Sequence, residues 1–137
     1  LKNINKQTIN LKVIKSIAIE DDSELLVELI VNSIQDKRGK DIISLNLTNI
    51  PEAVADYFII CNADSTTQVR AIIDNVEQEL SKVVGTNDIH IEGRSNGEWA
   101  LVDIGDIVVH VFQTEMREYY QLEDLWNDAY IKIYENN

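Results

Sequence analysis

Between Trp99 and Trp126 the hydrophobic period of the chain changes, and that change constrains the fold more than any other feature of the sequence. Trp99–Val102 and Ile107–Phe112 are apolar runs separated by Asp103-Ile104-Gly105-Asp106. Two such runs across a short Gly turn predict a β-hairpin, with strands over Trp99–Asp103 and Ile107–Gln113. Ile104 disfavours positive φ, so a type I turn with Gly105 in a left-handed bulge is expected. That leaves the cross-strand register of Trp99 and His110 open by one residue. From Met116 onward the apolar positions Tyr119, Tyr120, Leu122, Leu125 and Trp126 recur at helical spacing. Short amphipathic helices are predicted over about Glu115–Tyr120 and Leu122–Tyr134. Both tryptophans and one of the two histidines lie in this stretch, so a working surface is expected to be built from it.

The preceding residues supply the framework. Leu25, Leu26, Leu29, Ile30 and Ile34 predict a helix over about Asp22–Gln35, capped by Asp21-Asp22-Ser23 and closed by Lys37-Arg38-Gly39-Lys40. Asp41–Leu47 alternates as a strand, with Ile43, Leu45 and Leu47 on one side and Ile42 and Ser44 on the other. Asp56–Cys61 is almost continuously apolar, which suits the middle of a sheet. Val69, Ile72, Ile73, Val76, Leu80, Val83 and Val84 predict a helix over Ser65–Val84, capped by Ser65 and stopped by Gly85. Arg70, Asp74 and Glu79 fall on its outer side. Asp88–Glu92 reads as a short strand and Asn96-Gly97 as a turn. The order α-β-β-α-β-β-β-α-α makes this an α/β (α+β) chain: a mixed five-stranded sheet with flanking helices.

Length and charge narrow the role. At 137 residues the chain is expected to form one domain over 20–137, with residues 1–19 as an appended arm outside the core. The arm holds four lysines and no acid, so the remainder is more acidic than the net charge of −12 indicates. Phosphate backbones repel such a surface, which argues against sequence-specific nucleic-acid binding and toward a basic protein partner. No apolar run approaches the roughly 18 residues of a membrane span. Cys61, the single cysteine, is expected as a buried thiol in a reducing, cytoplasmic setting.

Signals for catalysis are few. Asp103 and Asp106 flank Gly105 and suit a carboxylate pair for a divalent metal, but aspartates beside glycine also punctuate tight turns. His90 and His110 are lone histidines in apolar strands and read as core or interface residues rather than zinc ligands. GRSNG and DIGD lack the spacing of a phosphate-binding loop, and no Ser or Cys lies in a nucleophile-elbow context. No enzyme, cofactor or resident metal is therefore expected. An interaction surface is better supported. Trp99, Leu101 and Asp103 share a strand face, and Tyr120, Leu122, Glu123 and Trp126 crowd the segment that follows. Aromatic residues beside acids form the kind of patch that docks a basic protein. Leu122, Leu125 and Trp126 are also expected as the apolar face of the last helix. For Trp99 and Tyr120, core cover and contact surface are balanced.

The same stretch resembles the ribosomal silencing factor (Iojap-like) family. The family pattern is a Trp, then D-x-G-D, V-H-V and R-x-x-Y-x-L-E-x-L-W. Trp99, Asp103, Gly105, Asp106, His110, Arg117, Tyr120, Leu122, Glu123, Leu125 and Trp126 match it. The basic-then-D-I junction from Lys37 to Ile42, D-Y-F-I-I-C and S-T-T-Q-V-R-A-I fit as well, so the resemblance spans about Asp22 to Trp126. It implies a nucleotidyltransferase-like topology without the catalytic signature. The G-S and D-x-D elements of that superfamily are absent here. It further implies a translation repressor that binds the large ribosomal subunit through its fourteenth protein and sterically blocks subunit joining, with a homodimer when free. The implied contacts are Trp99, Asp103, Tyr120, Leu122 and Glu123; Leu101 joins them through the strand face of Trp99. A divergent metal-dependent nucleotidyltransferase using Asp103 and Asp106 is the competing expectation.

Overall fold

The computed structural model describes residues 23–136. The predicted arm, residues 1–19, and the capping pair Asp21-Asp22 lie outside the described residues. The elements run α1 (Ser23–Asp36), β1 (Lys40–Asn46), β2 (Tyr57–Ala63), α2 (Thr66–Leu80), β3 (His90–Glu92), β4 (Trp99–Asp103), β5 (Ile107–Gln113), α3 (Thr114–Tyr120) and β6 (Tyr130–Ile133). Short 3-10 turns occupy Thr86–Asp88 and Leu122–Trp126.

The strands form one mixed sheet in the order β3-β4-β5-β2-β1-β6. β2 and β5 pair in parallel and every other pair is antiparallel. The side chains of β2 are therefore covered by neighbours on both flanks and both faces, as its unbroken apolar run requires. Alternation divides the interior in two. Ile42, Ile59, Cys61, Val102, Val109 and Val111 face α1 and α2, where they meet Ile30, Ile34, Ile72 and Ile73. Each of these fully buried aliphatic side chains contributes about 1.5–3 kcal/mol. Leu45, Phe58, Ile60, Val108 and Phe112 face the other way, against Met116, Leu122, Trp126 and the 48–56 connection.

The last predicted helix, over Leu122–Tyr134, is corrected by the structure. Only Leu122–Trp126 coils, and Tyr130–Ile133 is a strand, so the sheet has six strands and not five. β6 lies antiparallel on β1, with Ile43 opposite Ile133 and Leu45 opposite Ile131. This pairing satisfies the outer backbone groups of β1, which a helix there would have left to solvent. Tyr, Ile and Ile at alternating and β-branched positions favour the strand, although Trp126 and Tyr130 also fall at helical spacing.

Smaller differences concern ends. α2 stops at Leu80, and Val83 and Val84 belong to turns whose amides reach the Leu80 carbonyl at 3.0 and 2.9 Å. Gly85 precedes a 3-10 turn rather than closing the helix. Ser65 does cap α2, its Oγ accepting from the Gln68 amide at 3.1 Å. In α1 the buried stripe runs through Leu26, Val27, Ile30, Val31 and Ile34, while Leu25 and Leu29 are half-buried. The left-handed residue after α1 is Arg38 (φ 61°), one position before the expected glycine.

Candidate functional site

β4 and β5 meet at Gly105, which takes φ 94° as expected. The Ile104 amide donates to the Ile107 carbonyl at 3.0 Å. The register is now fixed: Trp99 lies opposite Phe112, Leu101 opposite His110 and Asp103 opposite Val108. Trp99, Leu101 and Asp103 therefore share the face away from α1 and α2. Directly opposed residues share a face, so Glu92 and His90 of β3 extend it beside Leu101 and Asp103.

α3 springs from the end of β5 and returns Tyr120 to this face. The Tyr120 ring lies 4.8 Å from Trp99 at 47°, and Trp99 stacks on Phe112 at 4.8 Å and 25°. Phe112 is wholly buried, Trp99 is half-buried and Tyr120 is 49% exposed. The aromatic ladder thus climbs from core to solvent in three steps. Tyr119, 77% exposed, meets Tyr120 edge-on at 5.1 Å. The helix ends at Gln121 in the left-handed region (φ 49°), which turns the chain so that Leu122 and Trp126 pack back under the sheet. Trp126 meets Phe58 edge-on at 6.0 Å, as core cover. Leu125 departs from its expected apolar-face role: it is 72% exposed.

His110 sits in the middle of β5 on the same face. The Trp99 Nε1–H donates to its Nδ1 at 3.1 Å, a diagonal cross-strand contact that the sequence pattern did not single out. The Phe58 ring meets it edge-on at 4.7 Å. Burial pushes its pKa down to about 4, partly opposed by the Asp103 carboxylate. Cys61, on the opposite face, is fully buried, and burial pushes its thiol up to about 12.

Glu123 stands apart from the rings. Its Oε2 accepts from Arg117 Nε at 3.0 Å and Nη2 at 2.8 Å. Arg117 Nη1 donates to the Asp41 carbonyl at 2.6 Å and to Asn62 Oδ1 at 2.7 Å. Asn62 in turn donates to Thr114 Oγ1, and Thr114 to Asp64. Hydrogen bonds from Lys40 and Thr114 hold the Asp64 carboxyl below its usual range. A cleft of about 280 Å³ opens here, at the carboxyl ends of the parallel strands, lined by Arg117, Glu118, Glu123 and Asp124 among others. Its arginine is already engaged by three partners, so the cleft offers a ligand chiefly acids.

Asp103 caps the turn with its side chain, and Asp106 takes part through its backbone. Asp103 Oδ1 accepts from the Gly105 amide at 2.7 Å, and the Asp106 carbonyl accepts from the Asp56 and Tyr57 amides at 2.8 and 3.1 Å. Among the described residues no group of three or more His, Cys, Asp or Glu side chains is placed to hold a metal ion. Nor is any helix among them long and apolar enough to cross a membrane. His90 is exposed and pairs with Glu92 at 3.1 Å.

Fold and site together define an α+β domain with one helix-covered sheet face and one face that carries a half-open aromatic ladder. The chain belongs to the ribosomal silencing factor family: the family model described as "Ribosomal silencing factor during starvation" matches residues 20–137. A ribosomal silencing factor from Halalkalibacterium halodurans is 43% identical over 107 residues, covering 76% of this chain and 87% of the relative. A mouse protein named for mitochondrial assembly of the ribosomal large subunit is 29% identical over 103 residues, 73% of this chain and 44% of its own length. A crystal structure of a Chromobacterium violaceum protein superposes with a TM-score of 0.72 at 35% identity, covering 78% of this chain and 88% of that one. Membership supports a ribosome-associated regulator of translation.

Proposed function

We propose that the protein binds the large ribosomal subunit through its fourteenth protein, by the face of Trp99, Leu101, Asp103, Tyr120 and Leu122, and so sterically keeps the small subunit from docking. The carrying observation is the Trp99–Tyr120 pair, stacked on buried Phe112 yet open to solvent on a chain of net charge −12. Large aromatic rings held rigidly by a core lose little entropy on docking. The acids around them, Asp103 and Glu92, favour and speed encounter with a basic protein. Glu123 contributes by holding Arg117, and with it the turn that sets Tyr120 and Leu122 in place. The mechanism needs no chemistry and no cofactor: an occupied surface excludes the other partner by mass action. Free in the cytoplasm, two copies pairing through the same face would compete with ribosome binding.

Co-sedimentation with purified subunits tests this. Wild type should travel with the large subunit and lower the yield of joined ribosomes, and Tyr120→Ala should do neither. Wild type remaining at the top of the gradient at micromolar concentration would end the proposal.

A further inference from the structure

We infer that His110 is the positioning residue of the docking face: its Nδ1 fixes the orientation of the Trp99 indole. The inference rests on the reading of the Trp99–Tyr120 surface as the docking face.

The indole N–H is a donor only, so the nitrogen that receives it must carry a lone pair. His110 is 5% exposed and lies among Phe58, Trp99 and Phe112. With Nδ1 accepting, the neutral ring carries its proton on Nε2. Nε2 is buried and has no hydrogen-bond partner. A group that merely filled this apolar site would do so better as Leu or Phe, which bring no orphaned donor. The compensating gain is at Nδ1, and its beneficiary is Trp99.

The consequence reaches the surface. Stacking on Phe112 sets one face of the indole, but a flat ring on a flat ring can still turn in its plane or flip about χ2. The hydrogen bond to His110 removes that freedom. It also turns the single polar atom of the indole inward, so the part of Trp99 that meets a partner is apolar ring surface. The partner group opposite Trp99 is accordingly apolar or a cation lying over the ring, not a hydrogen-bond acceptor. Asp103, four residues along the same strand and on the same face, adds negative charge to the surface that such a cation approaches.

The test uses two variants and two readouts. His110→Leu fills the site without an acceptor; His110→Asn places an oxygen close to where Nδ1 lies. Dispersed amide spectra of 15N-labelled protein confirm that each folds. The indole N–H signal of Trp99 is read next, with that of Trp126 as the internal reference. In His110→Leu it should move upfield and exchange with solvent at least tenfold faster, and large-subunit binding should weaken about tenfold. His110→Asn should restore both toward wild type. If His110→Leu leaves the indole signal unchanged, or changes it while binding stays at the wild-type level, the positioning role is refuted. Wild type that fails to bind the large subunit would instead remove the docking reading itself, and the inference with it.

Discussion

Acidification should destabilise this protein through His110, by an amount set by how deeply the ring is buried. The imidazole titrates at 6.5 in the unfolded chain and at about 4 in the fold. Between those values the unfolded chain holds a proton that the folded chain refuses, so stability falls as pH falls. Each unit of pH removes about 1.4 kcal/mol in that window. Going from neutral pH to about pH 5 therefore costs about 2 kcal/mol, and the loss levels off at about 3 kcal/mol near pH 4. Against a total stability of about 5–15 kcal/mol this is a large share. The assay is urea unfolding of wild type and His110→Leu across the same pH range. Comparing the two cancels the contribution of the carboxylates. Wild type should lose about 2 kcal/mol more than the variant between neutral pH and about pH 5. Parallel loss in both proteins would refute a neutral, buried His110.

Other predictions follow from named contacts. Arg117→Met strands Asn62 Oδ1, which is 2% exposed, and frees Glu123. It should lower stability by about 2–3 kcal/mol and speed amide exchange through the turn after Tyr120, read by exchange mass spectrometry. Gly93→Ala should cost more than about 2 kcal/mol in thermal or urea unfolding, because Gly93 has φ 79° and an added Cβ would collide with the Trp99 carbonyl. Cys61 should resist aromatic disulfide reagents until urea unfolds the chain, since its buried thiol holds its proton to about pH 12.

Much of this was legible because periodicity survives tertiary context where packing is regular. The hairpin over Trp99–Gln113, the turn at Gly105 and the buried run in β2 were read directly from alternation and glycine. The sixth strand was not, because Trp126, Tyr130 and Ile133 satisfy helical spacing as well as Tyr130–Tyr134 satisfies alternation. What decided it was an unpaired edge of β1, a long-range fact no local window contains. The site shows the same division. The shared face of Trp99, Leu101 and Asp103 followed from strand geometry. The Trp99–His110 bond depended on a register the turn left open by one residue. The four hydrogen bonds of Arg117 join residues as far apart in sequence as Asp41 and Glu123. One clue was present: a histidine between Val109 and Val111, in phase with Phe112, is a polar ring on an apolar face and needs a partner.

The most direct measurement of the central claim is a photocrosslink. A benzoylphenylalanine placed at Tyr120, the half-exposed outer step of the ladder, is irradiated with intact large subunits and the product identified by mass spectrometry. A single dominant adduct is expected, to the fourteenth protein of the large subunit, suppressed by excess wild-type protein. Dominant adducts to ribosomal RNA or to another protein would contradict it.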